Sequence, residues 1–226
     1  MKITAIIAAA GLGERFGEKK QLKLLNGRPL LFHTIQPFIK SELISEILVV
    51  VPKDDVIQVD REFKSTLTSK KIEVISGGKT RQESVNNGLK ISDKESELIC
   101  VHDGVRPFVT LSLIEKVIKA SMEHDGAILA APSSDTIKKI MGDQILETLP
   151  RETIWRAQTP QVFSKAALEE AIQIAIDENL KGTDESSILE KIGYQIGFIE
   201  GSPLNIKITT KEDWIFAKAI YKELND

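Results

Sequence analysis

Apolar and polar positions along this chain follow two alternating periodicities. Short apolar runs at residues 3–10, 47–51, 98–101 and 127–131 have the length and character of strands covered on both faces, and 72–75 reads as a further short strand. Between them, apolar residues recur at helical spacing. Leu31, Ile35, Phe38 and Ile39 mark a first long helix, and 54–67 a second. Ile114, Val117, Ile118 and Ser121 form the inner face of another, capped by Thr110 or Ser112. Further on, Leu168, Ala171, Ile172, Ala175 and Ile176 predict a helix. Thr183-Asp184-Glu185 makes an acidic start for the next, which carries Ile188, Leu189 and Ile192. Strands are expected at 195–199 and 205–208, and a closing helix from about Lys211 packs Trp214, Ala217, Tyr221 and Leu224.

The rhythm breaks once. From 132 to about 155 there is no helical period; two β-prone pieces, 136–140 and 144–149, flank Gly142-Asp143, a plausible hairpin turn. The pattern resumes after Gln158-Thr159-Pro160-Gln161. Alternation of this kind predicts an α/β fold, a Rossmann-like, mostly parallel sheet with helices on both faces. The economical reading is a single domain over 1–226 with a protruding β-arm at about 132–155, either a lid or a subunit-exchange arm.

Composition narrows the function. The chain has 226 residues, long enough for one well-buried α/β core. A net charge of −3 without a basic run gives no reason to expect nucleic acid or an anionic membrane. Its one cysteine, Cys100, sits in an apolar strand and reads as a core residue. No apolar stretch is long enough to span a bilayer and the chain starts directly in a strand, so a cytoplasmic location is expected.

The chemistry gathers at strand ends. After the first strand, Gly11 and Gly13 remove side chains where a backbone must turn close to a ligand, and Arg15, Lys19 and Lys20 follow. Bare peptide N–H groups with clustered cations describe a seat for a polyphosphate. The dinucleotide fingerprint fails because its third glycine is Phe16, and the P-loop pattern fails because Gly17 is followed by Glu18. Three cations also suit a nucleoside triphosphate better than one bridging pyrophosphate. A second glycine turn, residues 76–84, offers backbone groups and the Ser84 hydroxyl for a base or ribose. Asp103 ends the fourth predicted strand, and Mg²⁺ needs only one or two carboxylates when phosphates and water complete its shell. His102 reads as a structural hydrogen-bonder, with His33 and His124 peripheral. No nucleophile or zinc motif appears. Attack by a substrate phosphate on a nucleotide phosphate needs cations but no protein base, since a phosphate monoester is largely dianionic at neutral pH.

Seven motifs then occur in order: Ala-Ala-Gly-x-Gly-x-Arg with a following Lys-Gln, Gly-Gly-x-x-Arg-x-x-Ser-Val, His-Asp-x-x-Arg-Pro, Asp135-Thr136, Gln-Thr-Pro-Gln, Thr-Asp-Glu and Asn-Ile-Lys-Ile-Thr. Over nearly its whole length the chain resembles the 2-C-methyl-D-erythritol 4-phosphate cytidylyltransferases of the non-mevalonate isoprenoid pathway. The resemblance implies that Ala9, Ala10, Gly11 and Gly13 cradle CTP, with Gly78, Ser84 and Gly104 contacting the cytidine. It implies that Arg15 and Lys20 neutralise the triphosphate and that Asp103 lies near Mg²⁺ and the substrate. Lys207 and Arg151 would grip the polyol phosphate, helped by Thr136, Thr159 and Thr183. In that family the arm crosses to a twin subunit, so a homodimer is implied, with Arg151 and Thr136 serving the partner's site.

Two departures stand out. Lys19-Lys20-Gln21 follows a shorter loop than the usual Pro-Lys-Gln, which leaves open which lysine meets the triphosphate. Gly104 replaces a common alanine, expected to be a mild change. The rival reading within the chemistry is a ribitol 5-phosphate cytidylyltransferase, against which the Thr183–Ser187 segment, Glu190 and Trp155 speak. A regulatory module that has lost catalysis is disfavoured by Arg15, Lys20, Asp103 and Lys207 together, and a nicotinamide-dependent oxidoreductase by Phe16.

Overall fold

The first strand, β1 (Lys2–Ala8), lies at the heart of the sheet because its side chains are apolar on both faces. A computed structural model describes residues 1–64 and 70–225. Ile3, Ala5 and Ile7 point into one hydrophobic cluster and Ile6 into another, so alternate residues of one strand serve two cores. The remaining strands of the main sheet are β4 (Glu46–Val51), β5 (Lys71–Ser76), β6 (Ser96–Asp103), β7 (Gly126–Pro132), β10 (Trp155–Ser164) and β11 (Ile196–Glu200). Their spatial order is β11-β7-β10-β6-β1-β4-β5. All neighbours run parallel except β10, which is antiparallel to both β6 and β7. The mostly parallel sheet expected from the alternation is therefore present.

Helices cover both faces. On one side α1 (Leu30–Lys40), α2 (Val56–Lys64) and α4 (Leu111–Ala120) bury Ile35, Phe38, Val59, Phe63, Ile114 and Val117. On the other, α3 (Arg81–Ile91), α5 (Lys165–Asp177) and α6 (Glu185–Lys191) bury Val85, Leu89, Leu168, Ile172 and Leu189. The cap of α4 is Thr110, whose hydroxyl accepts the Leu113 N–H. A small third cluster under the glycine loop joins Phe16, Leu30, Val105, Phe108 and Ile208 to Ala217 of α7 (Lys211–Asn225). Among the described residues, no helix is long and apolar enough to cross a membrane.

The arm is present as an antiparallel hairpin of β8 (Lys138–Met141) and β9 (Gln144–Thr148), every residue of it exposed. It leaves the sheet where the Ser133 N–H donates to the Ile154 carbonyl.

Several expectations need correcting. The Gln158–Gln161 stretch is not a link back to the α/β pattern but the middle of β10, with a register irregularity between Gln158 and Gln161 and a cis Thr159–Pro160 bond. Its polar side chains are buried because each finds a partner: Gln158 donates to the Ser202 carbonyl and Gln161 to Asp184. Residues 205–208 form no strand. They are pinned instead by Asn205, whose amide donates to the Thr159 carbonyl, and by the Ile208 N–H on Val105. The glycine loop does not open a helix directly: a 3-10 turn (Lys20–Leu22) and a short hairpin of β2 (Leu24–Leu25) and β3 (Arg28–Pro29) precede α1. The second helix starts at Val56, after a 3-10 turn at Lys53–Asp55, rather than at Asp54, and its expected end at Leu67 lies outside the described residues. Leu224, expected to pack inward, is exposed.

β10 thus ties the two halves of the sheet together, and Phe163, fully buried, is its anchor in the second cluster. Phe163→Ala should destabilise the fold by about 3–5 kcal/mol, measured as a lower midpoint in urea unfolding; a loss under about 1 kcal/mol would remove β10 from this role.

Candidate active site

The carboxyl ends of β1, β4, β5 and β6 open onto one cavity of about 700 Å³. It sits where successive strands depart to opposite sides of β1, the position at which open α/β sheets bind ligands. Ala9, Ala10, Gly11, Arg15 and Lys20 line one wall, Gly78 and Ser84 another, and Asp103 and Lys207 a third.

The glycine wall is a tight loop. The Phe16 and Gly17 N–H groups both donate to the Gly13 carbonyl, and Gly13 has φ +76°. A Cβ on Gly13 would lie 1.9 Å from the Glu18 carbonyl oxygen, so only glycine fits. Buried Gln21 donates to the Gly11 carbonyl and holds the loop from below. Phe16, the residue that breaks the dinucleotide pattern, packs edge-on against Trp214 at 6.0 Å and anchors the loop to α7.

The two lysines separate cleanly. Lys19 turns away to Asp55 at 2.7 Å, whereas Lys20 faces the cavity. Burial lowers the Lys20 ammonium below its ordinary value, and the neighbouring charges of Arg15 and Lys207 lower it further. Among the described residues neither Arg15 nor Lys20 forms an ion pair. Glu14 lines the same wall without pairing with either cation, so both remain available to a polyphosphate.

The opposite wall is compensated. Asp103, 4% exposed, accepts from Arg81 Nε at 3.0 Å on Oδ1 and from Arg106 Nε at 3.1 Å on Oδ2, and its Oδ2 also forms an ion pair with Lys207 Nζ at 3.1 Å. Burial alone would raise this carboxyl, but Arg81, Lys207 and Arg106 outweigh it and hold it well below the usual range. Its backbone is fixed as well. The Asp103 N–H donates to Thr159 Oγ1, which lies 3.0 Å from His102 Nδ1, while His102 Nε2 lies 3.1 Å from the Arg106 carbonyl. A carbonyl can only accept, so Nε2 carries the proton and Nδ1 accepts from the Thr159 hydroxyl. Burial pushes His102 down to about 4, in keeping with a neutral structural ring. Burial likewise pushes the Cys100 thiol up, as for an unreactive core residue.

Other expected site residues lie elsewhere. Thr159 is buried behind Asp103, Thr183 is exposed at the start of α6, and Thr136 and Arg151 are exposed on the arm. None of these lines the cavity, nor do Gly13 and Gly104. Gly104 is not a mild replacement here, because a methyl group would sit 2.5 Å from the Ala9 Cβ. Two residues went unassigned in the sequence reading. Arg81, visible only as the arginine of the second glycine motif, bridges Asp103 and Glu185; Arg106 binds Asp103 and the Asn205 carbonyl.

A divalent cation fits this donor set in one way only. Among the described residues no group of three or more His, Cys, Asp or Glu side chains could hold a metal ion. On Asp103, Oδ2 is engaged by Arg106 and the Lys207 ammonium, while Oδ1 holds a single hydrogen bond, from Arg81, and is the less crowded oxygen. The site therefore suits an ion carried in by phosphates, as Mg²⁺ commonly is.

Comparison with known proteins agrees with this geometry. The family model described as IspD, 2-C-methyl-D-erythritol 4-phosphate cytidylyltransferase, matches residues 3–223. The 2-C-methyl-D-erythritol 4-phosphate cytidylyltransferase of Syntrophus aciditrophicus is 41% identical over 98% of this chain and 97% of its own length. That of Halalkalibacterium halodurans is 38% identical over 99% and 98%. The crystal structure of 4-diphosphocytidyl-2C-methyl-D-erythritol synthase from Anaerococcus prevotii superposes with a TM-score of 0.88 at 34% identity, covering 97% of this chain and 96% of that one. Nothing in these matches favours the ribitol phosphate reading. With the family model spanning almost every residue and the cavity at the expected sheet edge, this chain belongs to the 2-C-methyl-D-erythritol 4-phosphate cytidylyltransferase family.

Proposed function

We propose that this chain transfers the cytidylyl group of CTP to 2-C-methyl-D-erythritol 4-phosphate. The products are 4-(cytidine 5'-diphospho)-2-C-methyl-D-erythritol and pyrophosphate, in non-mevalonate isoprenoid precursor synthesis. The observation that carries the reading is the wall of Arg15 and Lys20, cations without acidic partners beside a backbone loop. A phosphate oxygen of the polyol phosphate attacks the α-phosphorus of CTP; the new P–O bond forms as the bond to pyrophosphate breaks. The nucleophile is already anionic, so positioning and charge neutralisation suffice.

In this scheme the backbone at Ala9, Ala10 and Gly11 seats the triphosphate, Gly13 gives the loop the turn it needs behind them, and Arg15 and Lys20 neutralise the charge. Gly78 and Ser84 form the cytidine side, with Gly104 packed behind Ala9. Asp103 and Lys207 receive the polyol phosphate, with Thr159 holding the Asp103 backbone and Thr183 at the rim. Asp103 Oδ1 is the protein position open to Mg²⁺, which supplies further charge neutralisation on the phosphates when bound. Thr136 and Arg151, exposed and remote from their own cavity, act on the site of a second copy in a homodimer joined through the arm. The absence of a membrane-crossing helix among the described residues fits a cytoplasmic enzyme.

Lys20→Ala and Arg15→Ala should each cut turnover about 100- to 1,000-fold in a pyrophosphate-release assay with CTP and the methylerythritol phosphate. Turnover within about tenfold of the parent chain would refute these roles, and faster turnover of ribitol 5-phosphate would refute the substrate. Arg151→Ala should chiefly impair use of the polyol phosphate. Mixing Arg151→Ala subunits with Lys20→Ala subunits should restore some activity, because one site of each mixed dimer is then intact; no recovery counts against exchange.

A further inference from the structure

Glu185 lies outside the cavity lining and is 2% exposed, and no step of the transfer calls for it. Burying a carboxylate costs several kcal/mol unless it is well paired. Its partner is Arg81: Nη1 lies 2.7 Å from each Glu185 oxygen. The same guanidinium uses Nε to reach Asp103 at 3.0 Å. Arg81 is thus held at both ends by carboxylates on different elements, and it lines the cavity wall between them. Burial pushes Glu185 up from the ordinary glutamate range with Arg81 opposing, while Glu185 and Asp103 keep Arg81 firmly charged against its own burial.

The far end of this chain of contacts is rigid. Asp184 caps α6 through a reciprocal bond with Ser187. The Gln161 side chain of β10 brackets the same turn, donating to Asp184 Oδ2 at 2.8 Å and accepting from the Ser186 N–H at 3.2 Å. The sheet therefore fixes the start of α6, α6 fixes Glu185, and Glu185 fixes Arg81. A free arginine beside a bound triphosphate would turn toward it, and Asp103 would lose the partner on Oδ1.

We propose that Glu185 is a positioning residue for the transfer: by engaging Nη1 it keeps Arg81 against Asp103, so that Oδ2 of Asp103 presents Lys207 to the polyol phosphate. The inference rests on the assignment of Asp103 and Lys207 to that substrate. It makes Glu185 selective in effect, touching the polyol phosphate end of the site and not the CTP end.

The test is steady-state kinetics on Glu185→Gln, an isosteric neutralisation, together with CTP affinity by calorimetry and a thermal melt. The kcat/KM for the polyol phosphate should fall about 10- to 100-fold, as small displacements of catalytic groups produce, with CTP binding no weaker than in the parent chain. In the Arg81→Gln background Glu185→Gln should add nothing, because it acts through Arg81. A merely structural Glu185 would weaken CTP binding and polyol phosphate use together, and its penalty would add to that of Arg81→Gln; either result overturns the proposal. Should Glu185→Gln fail to fold, Glu185→Asp carries the test. With its charge kept and its reach shortened, it should show a smaller loss of the same selective kind, and parental kinetics would overturn the proposal. Lys207→Ala, measured alongside, separates the two levels. If it leaves polyol phosphate use intact, the site assignment fails; if it impairs that use while Glu185→Gln does not, only the role of Glu185 fails.

Discussion

The constraint on which the site depends is one carboxylate almost wholly withdrawn from solvent. Asp103 sits at the end of a central strand, and burial there is tolerable only with cations in contact. The fold delivers three from three places: Arg81 from the first turn of α3, Arg106 from the turn after β6, and Lys207 from the segment before α7. None of these segments is a sequence neighbour of the others. Satisfying one buried charge therefore fixes their mutual positions. The hydrogen bonds from the Asp103 N–H through Thr159 to His102, and from His102 to the Arg106 carbonyl, fix the backbone that bears it.

The two walls of the cavity consequently differ in electrostatic character. Around Asp103 the charges are paired before any ligand arrives, so that wall is preorganised. Around Arg15 and Lys20 they are not, and a polyanion is the missing partner. Lys19, spent on Asp55, belongs to neither wall. The arm stands apart from both, with Ile140, Met141 and Ile145 exposed, which is an unfavourable way for an isolated chain to display apolar surface.

Much of this was legible in the sequence, and the parts that were not have a common cause. The strands at 47–51 and 98–101 are continuous apolar runs because helices cover both their faces, and local pattern suffices to find them. The hairpin at Gly142 was legible from turn chemistry. β10 was not, because Gln158, Thr159, Pro160 and Gln161 look like a loop; their burial is made acceptable by partners at Ser202, Asp103 and Asp184, all distant in sequence. Residues 205–208 failed the other way, looking like a strand while Asn205 spends its hydrogen bonds on β10 and the Asp103 turn. In the site, the glycines and cations of residues 11–20 could be read locally. The bridge through Arg81 could not, since it exists only between residues separated by 22 and 104 positions.

The anchoring of the glycine loop by Trp214 has a bearing on how the chain is made. Protein synthesis runs from the amino end, and segments fold as they emerge. The phosphate loop is among the earliest parts to leave the ribosome, yet the ring that steadies it and Lys207, the last cation of the Asp103 cluster, appear some two hundred residues later. A nascent chain can assemble most of its sheet while its glycine loop is still unbraced, so this corner of the cavity is completed only in the final stretch of translation.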